Sequence, residues 1–86
     1  MTEQEFDAGR VFFRPGDSGD RAYLLQDGQV ELLIGTAEAF TRIGLFEPGD
    51  VFGEMALIEE RPRVYTARAV TAGRASAMTR DEFEHQ

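Results

Sequence analysis

The chain has 86 residues, an apolar fraction of 42% and a net charge of −7. That is enough apolar material for one thin folded unit and too much for a disordered segment. The absence of cysteine excludes a disulfide framework and a thiolate metal site, the acidic balance argues against nucleic-acid binding, and no apolar run approaches the ~20 residues of a membrane span.

The first residues, Met1-Thr2-Glu3-Gln4-Glu5, lack the basic and apolar regions of a signal peptide, so a soluble cytoplasmic protein is expected. Val11-Phe12-Phe13 has strand character and runs into a turn at Pro15-Gly16-Asp17. Ala22 to Leu25 is the next strand, and Asp27-Gly28 after it predicts a tight hairpin. From Gln29 to Ile34 the pattern alternates, with Val30, Leu32 and Ile34 on one face and Gln29 and Glu31 on the other. Thr41 to Leu45 alternates too, with Ile43 and Leu45 sharing a face, and Glu47-Pro48-Gly49-Asp50 forms the next turn.

Glu54 to Glu60 lacks Gly and Pro and carries Met55, Leu57 and Ile58, which predicts one or two helical turns. Ala72-Gly73 marks a later turn, and Thr79-x-x-Glu82 is a capping-box pattern that opens a second short helix. Short strands at this spacing give a mainly β fold, a sandwich, roll or barrel.

The chemistry is concentrated in residues 51–69, which read as strand, glycine, short helix, proline break and strand. Gly53 lets the backbone approach a ligand closely, and the helix start presents unpaired N–H groups to an anion. Arg63, after Pro62, offers a planar fork of donors suited to phosphate oxygens, and Glu54 can accept hydrogen bonds from sugar hydroxyls. The arrangement suits a ligand with one anionic end and a hydroxyl beside it.

Phe52-Gly53-Glu54-Met55-Ala56-Leu57 and Pro62-Arg63 resemble the phosphate-binding cassette of the cyclic nucleotide-binding domain family. Arg14-Pro15-Gly16-Asp17-x-Gly19-Asp20 and Tyr23-Leu24-Leu25-x-x-Gly28-x-Val30 resemble that family's early strands, so the likeness runs from about Gly9 to Phe83. It implies a jelly-roll-like β-roll that encloses a short cassette helix, acting as a ligand sensor and not an enzyme. Glu54 is then expected to take the ribose 2′-hydroxyl and Arg63 the exocyclic phosphate oxygens. Backbone N–H groups of Met55, Ala56 and Val64, with close approach at Gly53, complete the cradle. No metal and no cofactor is implied, and the ligand is a cyclic nucleotide.

The departures from the family pattern sharpen the expectations. Val64 stands where a Thr is associated with cGMP preference, so cAMP is favoured over cGMP. Tyr65 replaces a small residue beside the pocket. The long C-terminal helix that covers the base and relays the signal is absent from residues 1–86, so the expectation is one domain with a truncated C-terminal helix, monomeric, and paired with an effector domain or protein partner outside it. The alternative reading is a degenerate β-roll for protein–protein contact, its pocket filled by Tyr65. Blander readings accompany these: a structural Glu54–Arg63 ion pair, a solvated loop at Glu59-Glu60, an exposed terminal His85, and core or strand-face roles for Phe12, Phe13, Phe40, Phe46 and Phe52.

Overall fold

The computed structural model describes residues 1–59 and 62–85, with the backbone alone at Ala56 and Glu59, so the expectation for Glu60 lies outside the described residues. Eight strands and two short helices follow in the order β1 (Thr2–Phe6), β2 (Val11–Phe13), β3 (Arg21–Asp27), β4 (Val30–Thr36), β5 (Ala39–Phe46), β6 (Val51–Phe52), α1 (Glu54–Glu59), β7 (Thr66–Ala69), β8 (Gly73–Thr79) and α2 (Arg80–Glu84). The strands form two antiparallel four-stranded sheets, ordered β1-β8-β3-β6 and β2-β7-β4-β5. The fold is the expected jelly-roll-like β-roll.

Alternation along each strand decides what fills it. In β3, Tyr23 and Leu25 point between the sheets with Phe6, Phe13, Val30 and Phe52, while Ala22 and Leu24 point to the other face. Phe52 is fully buried at the centre of an aromatic group, stacked against Tyr23 and Phe46 and meeting Phe12 edge-on, all at 5.2 Å between ring centres. On the opposite face of the first sheet, Leu57 of α1 packs against Ala22 and Met78, with Leu24, Val51 and Phe83 of α2 around them. Thr79 caps α2 through the anticipated capping box, since its side chain accepts from the Glu82 backbone N–H and Glu82 accepts from Thr79 in return. His85 closes that helix at the surface, its ring Nδ1 2.7 Å from the Asp81 carbonyl oxygen.

One local expectation is corrected, and the exposure of two apolar faces is qualified. Asp27-Gly28 is not a hairpin, because β3 and β4 belong to different sheets and the turn carries the chain from one to the other. Gly28 is nonetheless required there: its φ is +87°, and a Cβ would lie 2.6 Å from the Ala72 carbonyl oxygen. The tight hairpin sits instead at residues 37–38, between β4 and β5, with Thr36 opposite Ala39. Ile34 is 47% exposed although Val30 and Leu32 of its face are covered, because β7 pairs with β4 only as far as Leu33 and the β4–β5 ribbon runs on alone. Ile43 and Leu45 are exposed as well, on an edge strand whose pairing shifts register between Leu32 and Leu33.

Glu31 shows how this sheet handles a buried charge. It is 8% exposed, and its two carboxylate oxygens accept from Arg42 Nε and Arg68 Nε, each at 3.0 Å. Burial acts to raise its pKa, but the hydrogen bonds and charges of Arg68 and Arg42 outweigh that and hold the carboxyl below its ordinary value of 4.5. A carboxylate whose folded-state pKa is depressed stabilises the fold above its unfolded pKa, and that contribution is lost as pH falls through the folded value. Glu31→Gln is therefore expected to melt lower than the parent at neutral pH, with the gap closing well below pH 4.5. Thermal unfolding followed by circular dichroism at both pH values checks this, and parallel curves for the two proteins would contradict it.

Candidate functional site

The site is assembled where β6 ends. Gly53 has φ +81°, and a Cβ on it would lie 2.9 Å from Arg63 Nη1 and 3.2 Å from the Phe13 ring. A glycine is needed here both for the backbone angle and for the space. The chain then turns into α1, which Leu57, 2% exposed, fixes to the sheet, while Met55 and Ile58 remain largely in solvent.

Arg63 is pinned at its backbone by the predicted Pro15-Gly16-Asp17 turn. Its N–H donates to the Asp17 carbonyl at 2.9 Å, and its own carbonyl accepts from Gly16 at 2.8 Å. That turn is closed in the manner typical of an aspartate, its side chain accepting from the Arg14 N–H at 2.9 Å. The Arg63 side chain runs over the Phe13 ring, 4.2 Å from its centre, and is only 6% exposed. Its Nη1 donates to the Gly53 carbonyl at 2.5 Å and its Nη2 to the Arg21 carbonyl. Nε has no partner.

This is an unusual arrangement for a buried cation, because among the described residues the guanidinium's hydrogen-bond acceptors are neutral carbonyls and no carboxylate closes on it. Arg63 and Glu54 do not form the structural ion pair considered above, though the Glu54 charge acts on Arg63 from nearby. Burial lowers the Arg63 pKa, while Tyr23, Asp20, Asp17 and Glu54 act in the opposite direction. The guanidinium stays protonated in any case. A buried charge without a counter-ion carries a desolvation cost that an anionic partner relieves.

The open space beside this group is a cavity of about 470 Å³. Gly53, Glu54, Met55, Arg63 and Val64 of the anticipated residues line it together. Ala56 lies in α1, its side chain outside the described residues. Sequence reasoning had not assigned Phe13, Leu32, Phe46 or Pro62 to the cavity, yet all four contribute to its wall, as does Tyr65. Phe13 and Phe46 carry the expectation of core or strand-face roles, and no feature of the sequence alone separates such a phenylalanine from one that also walls a cavity. The wall thus combines a buried cation, a carboxylate and a close backbone with apolar and aromatic surface. The cavity's size falls within the about 300–1,000 Å³ of small-molecule sites.

A family model for the cyclic nucleotide-binding domain matches residues 3–86. The chain is similar to the HTH-type transcriptional regulator Cmr of Mycobacterium tuberculosis, 33% identical over 94% of this chain and 33% of the regulator. It is also similar to the cAMP-dependent protein kinase regulatory subunit of Emericella nidulans, 35% identical over 93% of this chain and 19% of the subunit. Among solved structures, the regulatory domain of Toxoplasma gondii PKA in complex with cAMP superposes with a TM-score of 0.89 at 30% identity, over 98% of this chain and 32% of that one. The chain thus spans a third or less of each of these proteins.

Proposed function

This chain belongs to the cyclic nucleotide-binding domain family, and from that premise we propose that it is a ligand-sensing regulatory module that binds cAMP in preference to cGMP. Arg63 takes the phosphate, Glu54 the ribose 2′-hydroxyl, and Gly53 with the backbone N–H groups of Met55, Ala56 and Val64 completes the cradle. One observation carries this reading: Arg63, 6% exposed on the cavity wall, has a guanidinium that among the described residues bonds only to backbone carbonyls and leaves Nε unpartnered. A cyclic phosphate supplies the missing acceptor and the missing charge. The module senses and does not catalyse, and it works on a soluble nucleotide in the cytoplasm.

The signal leaves through α2. Leu57 of α1 and Phe83 of α2 pack against one small cluster on the same face of the sheet, so a shift of the cassette helix on binding is felt at α2. The effector lies beyond this chain, as its third or smaller share of the compared proteins suggests. The rival reading, a roll whose pocket Tyr65 fills, fits less well, because Tyr65 is 37% exposed in the wall of a cavity that stays open.

Selectivity between the two nucleotides rests on Val64, which lines the cavity and has no hydroxyl to offer a guanine amino group. Calorimetric titration is expected to give tighter binding of cAMP than of cGMP, and Val64→Thr is expected to narrow the gap by strengthening cGMP. Equal affinities in the parent would remove the assigned preference. No heat with either ligand would remove the binding function itself.

A further inference from the structure

We infer that Tyr65 is the specificity-determining residue at the base end of the cavity, its ring forming the wall against which a purine stacks. This inference rests on the cyclic nucleotide reading above and adds to it the residue that recognises the base.

Three observations lead there. Of the aromatic rings on the cavity wall, Phe13 carries the Arg63 guanidinium over its face, and Phe46 is stacked on Phe52 with ring planes 22° apart. Tyr65 also lines the cavity, but its ring and hydroxyl meet no aromatic, cationic or hydrogen-bonding partner among the described residues. It is the cavity aromatic with a face to spare. Next, Tyr65 is 37% exposed, whereas Tyr23 in the core is 9% exposed. A plug would be covered by the walls it fills; Tyr65 stands at the edge of an open space of about 470 Å³. Finally, Tyr65 follows Arg63 by two residues in a non-helical stretch. Both residues line the one cavity, so a nucleotide whose phosphate meets Arg63 has its base within reach of the wall that Tyr65 forms.

Aromatic stacking on a base depends on ring area and not on a hydrogen-bond pattern, so it favours purines over pyrimidines without separating adenine from guanine. Tyr65 thus supplies purine selectivity, while Val64 acts on the choice between the two purines.

The test is a titration of the parent, Tyr65→Phe and Tyr65→Ala with cAMP and with cCMP, its pyrimidine counterpart. Tyr65→Phe is expected to match the parent. Tyr65→Ala is expected to lose about 5- to 150-fold in cAMP affinity and less in cCMP affinity, so that the cAMP-to-cCMP ratio shrinks. The ratio reports on the base and not on general loosening of the cavity, which would weaken both ligands alike. Unchanged or tighter cAMP binding by Tyr65→Ala would overturn the stacking role and leave the nucleotide site standing. Failure of all three proteins to bind either ligand would overturn the reading beneath it, and this inference too.

Discussion

Replacing Arg63 by alanine is expected to weaken cAMP binding at least about 30-fold. Truncating one partner of a desolvated, hydrogen-bonded charge pair costs roughly 2–5 kcal/mol, because the remaining charge is left without its counterpart. In this site the phosphate would lose the one guanidinium that the Pro15-Gly16-Asp17 turn and the Phe13 ring hold in place. The fold pays a smaller cost as well. The carbonyls of Gly53 and Arg21 lose their donors, and a neutral hydrogen bond contributes about 0.5–1.5 kcal/mol net. Melting temperature and calorimetry on the same samples separate the two effects. Arg63→Lys sharpens the comparison, since it keeps a charge but lacks the fork that reaches two carbonyls and still leaves Nε free. It is expected to fold and to bind with intermediate affinity. Full affinity in Arg63→Ala, at a temperature where it remains folded, would remove Arg63 from the phosphate site.

Phe52→Ala is expected to be the most destabilising single change in the core. Phe52 is fully buried, it contacts three other aromatic rings, and it immediately precedes Gly53. Large-to-small changes at such positions cost about 3–5 kcal/mol, since the cavity left behind collapses only in part. In a domain of this size that corresponds to a fall of roughly 12–40 °C in melting temperature. A saturating ligand that binds only the folded form returns part of the loss, about 2.7 kcal/mol at a hundredfold excess over Kd. The melting temperature of Phe52→Ala should therefore climb on adding cAMP, whereas the same cAMP concentration should stabilise the Arg63→Ala protein by at most about 0.9 kcal/mol, given its roughly 30-fold weaker site. A loss below about 1 kcal/mol, the ordinary cost of a point change, would show that the aromatic group is not the keystone described here.

What was legible beforehand follows from how strongly each residue constrains its neighbours. The β3 strand, the α1 helix and the Thr79 cap carry local signals, namely an apolar run, a stretch free of Gly and Pro, and a reciprocal side-chain pattern. β1 and β8 carry none. Thr2–Phe6 has a single buried apolar residue at its end, and Gly73–Thr79 is built mostly of small residues, with Arg74 and Met78 the exceptions. β8 lies between β1 and β3, and there the close packing of Ala75, Ser76 and Ala77 matters more than any β-propensity. The Asp27-Gly28 turn was correctly read as a turn, but the residues do not say whether the strands on either side pair or part to different sheets. The hairpin at residues 37–38 lacks the usual Asn-Gly or Asp-Gly signal; the glycine lies at Gly35, φ +108°, where a Cβ would fall 2.5 Å from the Ala39 carbonyl oxygen.

The candidate site divides the same way. Gly53, Glu54 and Arg63 were legible because their types and spacing already suggest a phosphate and a sugar, and Met55 and Val64 because the resemblance to the cassette implies them; all five line one cavity. The remaining wall was not, since Leu32 and Phe46 reach the cavity only through the pairing of β4 with β5, a long-range relation. The acceptors of the Arg63 guanidinium were equally hidden. They are main-chain carbonyls, of Gly53 and of Arg21 on β3, and residue identity does not encode a carbonyl's direction.

The most direct test of the central claim is an amide-resolved NMR titration of the folded chain with cAMP and, in parallel, with cGMP. The account predicts shifts concentrated at Gly53 to Ala56 and Arg63 to Thr66, larger for cAMP at equal concentration, followed by smaller shifts at α2 around Phe83. A spectrum of the folded chain that stays unchanged up to millimolar concentrations of both nucleotides would contradict it.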